Sequence, residues 1–188
     1  MDKSVIVAIF QQLAEKRIIF LSDDLDATIS SAIIGQLLLL DALNNEEITL
    51  YINCSGGDVE AGLFPIYDII QSLKSPIRTI VIGQAYSSAA ILLAAGTKGR
   101  RFAYPHAQVM IHNISTDLTG TAESIDRDTK LLKKLNQVMM ETLVKHTGQP
   151  MRKIKKYCSD EKTFNAKEAL KAGLIDDIII PATGGSLP

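Results

Sequence analysis

Between residues 17 and 100, short runs rich in β-branched and aliphatic residues alternate with longer apolar segments of helical spacing. Arg17–Leu21, Ile48–Asn53 and Ile77–Ile82 read as strands, and Thr28–Leu43 and Val59–Leu73 as the helices between them. A strand that is apolar along nearly its whole length must be buried on both faces, which is the condition of a central parallel strand. Parallel neighbours need a crossover, and a helix on a right-handed path supplies it. The chain is therefore expected to adopt an α/β fold of repeated β-α-β units, whose sites gather at the carboxyl ends of strands. The fold itself names no chemistry.

Other segments complete the outline. Val5, Ile6, Ile9, Phe10 and Leu13 share one face of a first helix, and Thr28–Leu43 is apolar enough to be expected buried on most sides. Pro65 lies inside the Val59–Leu73 helix, where it would kink or delay the helix unless it lies in the first turn. A helix Ala89–Ala95, strands Arg101–Tyr104 and Gln108–Ile111, and a polar segment 113–121 expected to be mobile lead to a long helix, Ala122–His146. Helices Met151–Cys158 and Ala166–Ala172 precede a last strand, Asp177–Ile180, and residues 182–188 are expected to form a frayed tail.

With 188 residues, 46% of them hydrophobic, the chain has material for one core, and a single domain over 1–188 is expected. Its 20 basic and 21 acidic residues nearly cancel, and it has no Trp, so bulk charge and base stacking recruit neither nucleic acid nor a membrane surface. No signal peptide or membrane span opens the chain, which points to the cytoplasm. Cys54 and Cys158 lack metal-ligand spacing and read as reduced thiols, so no metal is expected.

Three strand ends carry groups with chemistry. Ser87, in Gly83-Gln84-Ala85-Tyr86-Ser87-Ser88, stands at a strand-to-helix turn, where it is either a helix cap or a nucleophile beside unpaired backbone N–H groups. Gly56-Gly57 follows another strand, as a tight turn or as backbone brought close to a ligand. The N–H groups of Gly57 and Ser88 together would form an oxyanion hole. His112 ends a third strand, as a structural histidine or as the base for a serine, whereas His106 and His146 are placed at the surface.

These residues lie within a longer likeness. Leu50-Tyr51-Ile52-Asn53 with Gly56-Gly57, Ala61-Gly62-Leu63, Ile66-Tyr67-Asp68, Gly83 to Ser87, Leu93-Ala94-Ala95-Gly96, Val109-Met110-Ile111-His112, His146 to Pro150 and Ala169 to Asp176 resemble the ClpP family, the proteolytic subunits of ATP-dependent Clp proteases. The resemblance spans about residues 17–180. It implies a ClpP/crotonase-like fold with a protruding strand-helix handle, about residues 113–146, and a serine endopeptidase cleaving unfolded protein inside a closed chamber. It assigns Ser87 as nucleophile, His112 as base, and the N–H groups of Gly57 and Ser88 as oxyanion hole. It implies self-association into two stacked seven-membered rings, a tetradecamer, fed by a Clp-type AAA+ ATPase that uses the ATP; the chain itself needs no cofactor.

The departures are as specific as the matches. Where the family's triad has aspartate this chain has Glu161, with Asp160 before it in place of an arginine of the ring-to-ring contact, so Glu161 is the expected orienting acid and Asp160 the alternative. Cys54-Ser55 replaces Ser-Pro ahead of the Gly pair, and the segment after His112 lacks the family's glycines. Cys54 reads as a packed thiol rather than a nucleophile. The first helix begins almost at Met1, so the amino-terminal pore segment of the family is expected to be missing. A weakly active or inactive ClpP-like subunit of a mixed ring is the alternative these departures support. A crotonase-like acyl-CoA enzyme is a third reading, opposed by Ser87 with His112.

Overall fold

The computed structural model describes residues 3–180, with side chains from Val7 onward; the expected tail at 182–188 lies outside the described residues. Strands β1 (Ile18–Leu21), β2 (Ile48–Cys54), β3 (Ile77–Tyr86), β4 (Arg101–Ala103) and β7 (Asp177–Ile178) form a parallel path in that order. The strand β5 (Gln108–Met110) also runs parallel to β3, and β6 (Thr163–Asn165) is antiparallel to β5. The sheet therefore forks along β3. Residues 79–81 of β3 pair with β4, whereas residues 84–86 pair with β5. Gly83 lies between the two halves at φ 77°, a conformation that suits glycine. The β-branched run alone predicts an end at Ile82; the extension to Tyr86 exists because β5 supplies partners for the polar residues beyond it.

Helix α2 (Ala27–Leu43) starts where the Asp26 carboxylate accepts from the Ile29 N–H at 2.7 Å. It buries Ser30, Ile33, Leu37 and Leu40, but Leu38, Leu39 and Leu43 are 47%, 61% and 68% exposed in the single chain. The expectation of burial on most sides is corrected here: β1, the 59–63 turn and the helix after it cover one side of α2, and among the described residues Leu38, Leu39 and Leu43 are left uncovered on the other.

The expected helix Val59–Leu73 divides into a π-helical turn, Val59–Leu63, and α3 (Phe64–Ser72). Pro65 then falls in the first turn of α3, where its missing N–H costs no helical hydrogen bond. The following α4 (Ser88–Ala94) is buried along its length, and Ala89, Ala90 and Ala94 let it sit close to its neighbours.

Arg17 joins β1 to the end of α2. It is buried at φ 60°, and its guanidinium donates to the carbonyls of Leu40 (2.9 Å), Glu46 (2.7 Å), Glu47 (3.1 Å) and Asn44 (3.3 Å) and to Ser75 Oγ (3.1 Å). A cation at the carbonyl end of a helix is favoured by the helix dipole.

Helix α5 (Ala122–Thr147) is capped by Thr121 and stopped by Gly148 in the left-handed conformation. Met139, Met140 and Leu143 bury its last turns, whereas Ile125, Leu131 and Val138 face outward. Residues 111–119 form neither helix nor strand. Asn136 ties them to α5, accepting from the Ile114 N–H at 3.1 Å and donating to Asn113 Oδ1 at 3.0 Å. Helices α6 (Met151–Ser159) and α7 (Ala166–Ala172) flank β6.

His146, placed at the surface by its sequence context, is half-buried and within 3.0 Å of the Tyr67 hydroxyl. Burial, with the nearby charges of Lys145 and Arg101, lowers its pKa to about 4 from 6.5. The folded chain thus holds this ring neutral where the unfolded chain would protonate it, and stability is lost as pH falls from about 6.5 to about 4. His146→Gln should flatten the pH dependence of the urea midpoint across that window. An unchanged slope would exclude His146 as its source.

Candidate active site

The elements meet at the carboxyl ends of β2, β3 and β5. Ser87 follows β3 directly, and its N–H donates to the Met110 carbonyl at 2.8 Å, carrying the β3–β5 ladder one residue past the strand. That bond sets Ser87 beside His112, two residues beyond Met110. The Ser87 Oγ–His112 Nε2 distance is 2.8 Å. Ser87 has φ 54° and ψ −123°, an unusual backbone for a residue with a Cβ, and its side chain makes no capping hydrogen bond to α4. The strand-turn-helix geometry is that of a nucleophile elbow.

Gly56 and Gly57 pass under this turn at φ 113° and 133°. A Cβ on Gly56 would lie 2.7 Å from Ser87 Cβ, and one on Gly57 would lie 2.3 Å from the Leu25 carbonyl oxygen. Glycine is therefore required at both positions for contact as well as conformation. The loop is held by Leu25, whose N–H donates to the Gly56 carbonyl and whose carbonyl accepts from the Asp58 N–H, both at 2.7 Å. The N–H groups of Gly57 and Ser88 serve as donors in none of the loop and turn hydrogen bonds of the described residues, and Ser88 opens α4, where an N–H has no helical partner.

The expected acids are placed differently. The β5–β6 ladder ends at the pair Met110–Thr163, two residues short of His112 and of Glu161. Ile111 N–H donates to the Lys162 carbonyl at 3.2 Å and Asn113 N–H to that of Cys158 at 3.3 Å, so the backbones adjoin. Glu161 has φ 47° and an exposed side chain. Asp160 binds Lys156 Nζ at 2.8 Å. Among the described residues, no carboxylate oxygen lies within 4.0 Å of an imidazole nitrogen of His112. The structure thus brings together Ser87, His112, Gly57 and Ser88, and leaves both acids outside hydrogen-bonding distance.

A cleft of about 590 Å³ opens over Ser87 and His112. Met110, Ile114, Leu132 and Leu135 give it an apolar wall, and Ser55, Asp58 and Glu60 a polar one. Cys54 lies beneath the loop, 2% exposed, with burial raising its pKa, which is the environment of a packed thiol rather than a thiolate.

A model of the Clp protease family matches residues 2–182. The chain belongs to the Clp protease family. Over 179 residues it is 41% identical to a protein of Thermobifida fusca named ATP-dependent Clp protease proteolytic subunit 2, covering 93% of this chain and 88% of that one. Proteins named ATP-dependent Clp protease proteolytic subunit from Carsonella ruddii and Deinococcus radiodurans are 39% and 40% identical, each over 91% of this chain and over 88% and 84% of their own lengths. The mixed α/β architecture, with its parallel sheet, is consistent with the fold of the Clp protease family. No described helix of this Clp protease chain is long and apolar enough to cross a membrane.

Sequence reasoning missed two contributors to the site. Strand β6, which follows Glu161 and pairs with β5 ahead of His112, is three residues long with one apolar side chain, and its residues lie 57 positions from their partners at Gln108↔Asn165 and 53 at Met110↔Thr163. The Ser88 hydroxyl, which donates to the Gly57 carbonyl at 2.9 Å, had no sequence signal, because that contact spans 31 residues between a loop and the first turn of α4.

Proposed function

We propose that this chain is the proteolytic subunit of an ATP-dependent Clp-type protease, a serine endopeptidase that hydrolyses peptide bonds of unfolded proteins. The observation that carries this reading is the 2.8 Å contact of Ser87 Oγ with His112 Nε2 at a strained elbow, in a chain of the Clp protease family. Ser87 Oγ attacks the scissile carbonyl carbon as its proton passes to His112 Nε2. The carbonyl oxygen becomes an oxyanion facing the N–H groups of Gly57 and Ser88. The C–N bond then breaks as His112 returns the proton to the leaving amine, and water releases the acyl group from Ser87 by the same steps in reverse order. Glu161 is the proposed orienting acid, closing on the imidazole when substrate or a neighbouring subunit reshapes the 159–162 turn; Asp160 is the alternative.

The same reading makes the chain one domain of a cytoplasmic particle of stacked seven-membered rings, built from this chain or mixed with a paralogue and served by a Clp-type AAA+ ATPase. The ATP belongs to that ATPase, and no metal or other cofactor takes part. The apolar residues that α2 and α5 leave uncovered in one chain support assembly. Family membership does not favour an acyl-CoA enzyme. The His112 ring without a carboxylate partner supports a second reading, a subunit aligned only by a partner chain.

A fluorophosphonate probe on the purified chain, with particle size measured in parallel, separates these. Labelling at Ser87 in a large particle is the expected result. An unlabelled Ser87 in a well-formed ring would shift the role to the partner-dependent subunit, and labelling restored by a second chain would establish it. Gly56→Ala should slow labelling by about two orders of magnitude, since its Cβ displaces Ser87 and misplacement by about an ångström has that effect. Labelling within a factor of about three of wild type would show that the elbow can yield without loss.

A further inference from the structure

The two donors of the oxyanion hole lie 31 residues apart, one on a loop and one at the start of α4, yet they must converge on one oxygen atom. Gly57 has a backbone that glycine holds loosely, at φ 133°, so its peptide groups stay in place only where neighbours fix them. Leu25 fixes the Gly56 carbonyl and the Asp58 N–H, but Leu25 has no bond to the elbow. One hydrogen bond joins the loop directly to the elbow helix: Ser88 Oγ donates to the Gly57 carbonyl at 2.9 Å. Ser88 is fully buried, so water does not compete for its hydroxyl proton.

We infer that the Ser88 hydroxyl is a positioning residue, which locks the Gly57 loop to α4 so that the N–H groups of Gly57 and Ser88 aim at the same oxyanion. The side chain touches no reacting atom. It acts through the placement of the Gly57 loop against α4, the Gly57 N–H itself being oriented by its planar peptide with the Gly56 carbonyl that Leu25 holds. Its effect belongs to the tetrahedral stage, when the carbonyl oxygen takes up negative charge, rather than to substrate capture. Ser88 therefore contributes twice: its N–H as a donor, and its hydroxyl as the tie that sets the other donor. The inference rests on the acyl-enzyme reading of Ser87.

The test compares wild type, Ser88→Ala, Ser88→Cys and Ser88→Thr as the full chain in its assembled form. Peptide hydrolysis gives kcat and KM, and a peptide boronate, whose serine adduct is tetrahedral, gives affinity for that state. Ser88→Ala should lower kcat about tenfold and weaken the boronate by a similar factor, with KM within about twofold, as a partial loss of one oxyanion donor requires. Ser88→Thr, which keeps the hydroxyl, should recover most of both. Ser88→Cys, near serine in size but a weak donor, should behave as alanine does, and replaces it if the alanine chain does not assemble.

An alanine variant with wild-type kcat and boronate affinity would overturn the inference. So would a change confined to KM, or failure of both Ala and Cys chains to assemble while the Thr chain does, since the bond would then be a folding contact. If the wild-type chain itself forms no adduct at Ser87, alone or with a partner chain, the acyl-enzyme reading falls and this inference with it. Adduct formation by wild type with indifference at position 88 removes the inference alone.

Discussion

Ser87→Ala should reduce kcat for a fluorogenic peptide by on the order of 10⁴- to 10⁶-fold, with particle size unchanged. The oxygen removed is the only group at the elbow placed 2.8 Å from His112 Nε2, and without it no acyl-enzyme forms. What remains is an oxyanion hole with water as a poor nucleophile, which accounts for a floor rather than zero. Alanine tolerates the local backbone no worse than serine does, so the variant should fold, and the missing hydroxyl had no capping bond to lose. His112→Ala should reach a similar floor, and the double variant should fall no further, because nucleophile and base act as one unit. Residual activity above about a hundredth of wild type would be too much for that floor and would remove Ser87 from the nucleophile's role.

The second large effect lies far from the cleft. Arg17→Met should destabilise the fold by about 3–5 kcal/mol, since it removes the donor to several part-buried carbonyls at about 1–3 kcal/mol for each left unsatisfied, with water making good some of them. Methionine can fill the space of the side-chain stem, but it leaves the carbonyls of Leu40, Asn44, Glu46 and Glu47 and the Ser75 hydroxyl without the donor that now gathers them. These groups close the end of α2 and the entry to β2, so the loss should appear as a lower urea midpoint with an unchanged slope. Lysine should recover only part, having one point of donation where the guanidinium has a fork. A shift below about 1 kcal/mol would mean that water replaces the guanidinium, as at ordinary surface positions.

How much of this is legible in the chain follows the range of the interactions. The alternation of apolar strands and helices from residue 17 to 100 is local, and it gives the parallel sheet and the strand ends at which Ser87, Gly57 and His112 are found. The seams are not local. Sequence reads β3 as ending at Ile82 because nothing near Gln84 announces that Gln108 will pair with it. It reads α2 as buried because leucine content shows what a helix avoids, not whether this chain supplies the cover. Glu161 is the hardest case. Its alignment to the family's acid locates a residue two positions before β6, yet an exposed side chain at φ 47° is a matter of turn geometry that residue type alone does not fix.

The π-helical turn at Val59–Leu63 has one more consequence. Such a turn is an α-helix with one residue too many, and it acts as slack in the chain. By absorbing that residue before Pro65, the protein keeps two things that would otherwise compete: α3 packed in fixed register through Ile66 and Ile70, and Asp58, Val59 and Glu60 extended far enough to border the cleft. Shortening this stretch by one position would let the helix relax to an ordinary pitch and draw the rim of the cleft back. The rim of the cleft and the register of the core are thus set on either side of this turn, by Asp58, Val59 and Glu60 on the one hand and Ile66 and Ile70 on the other.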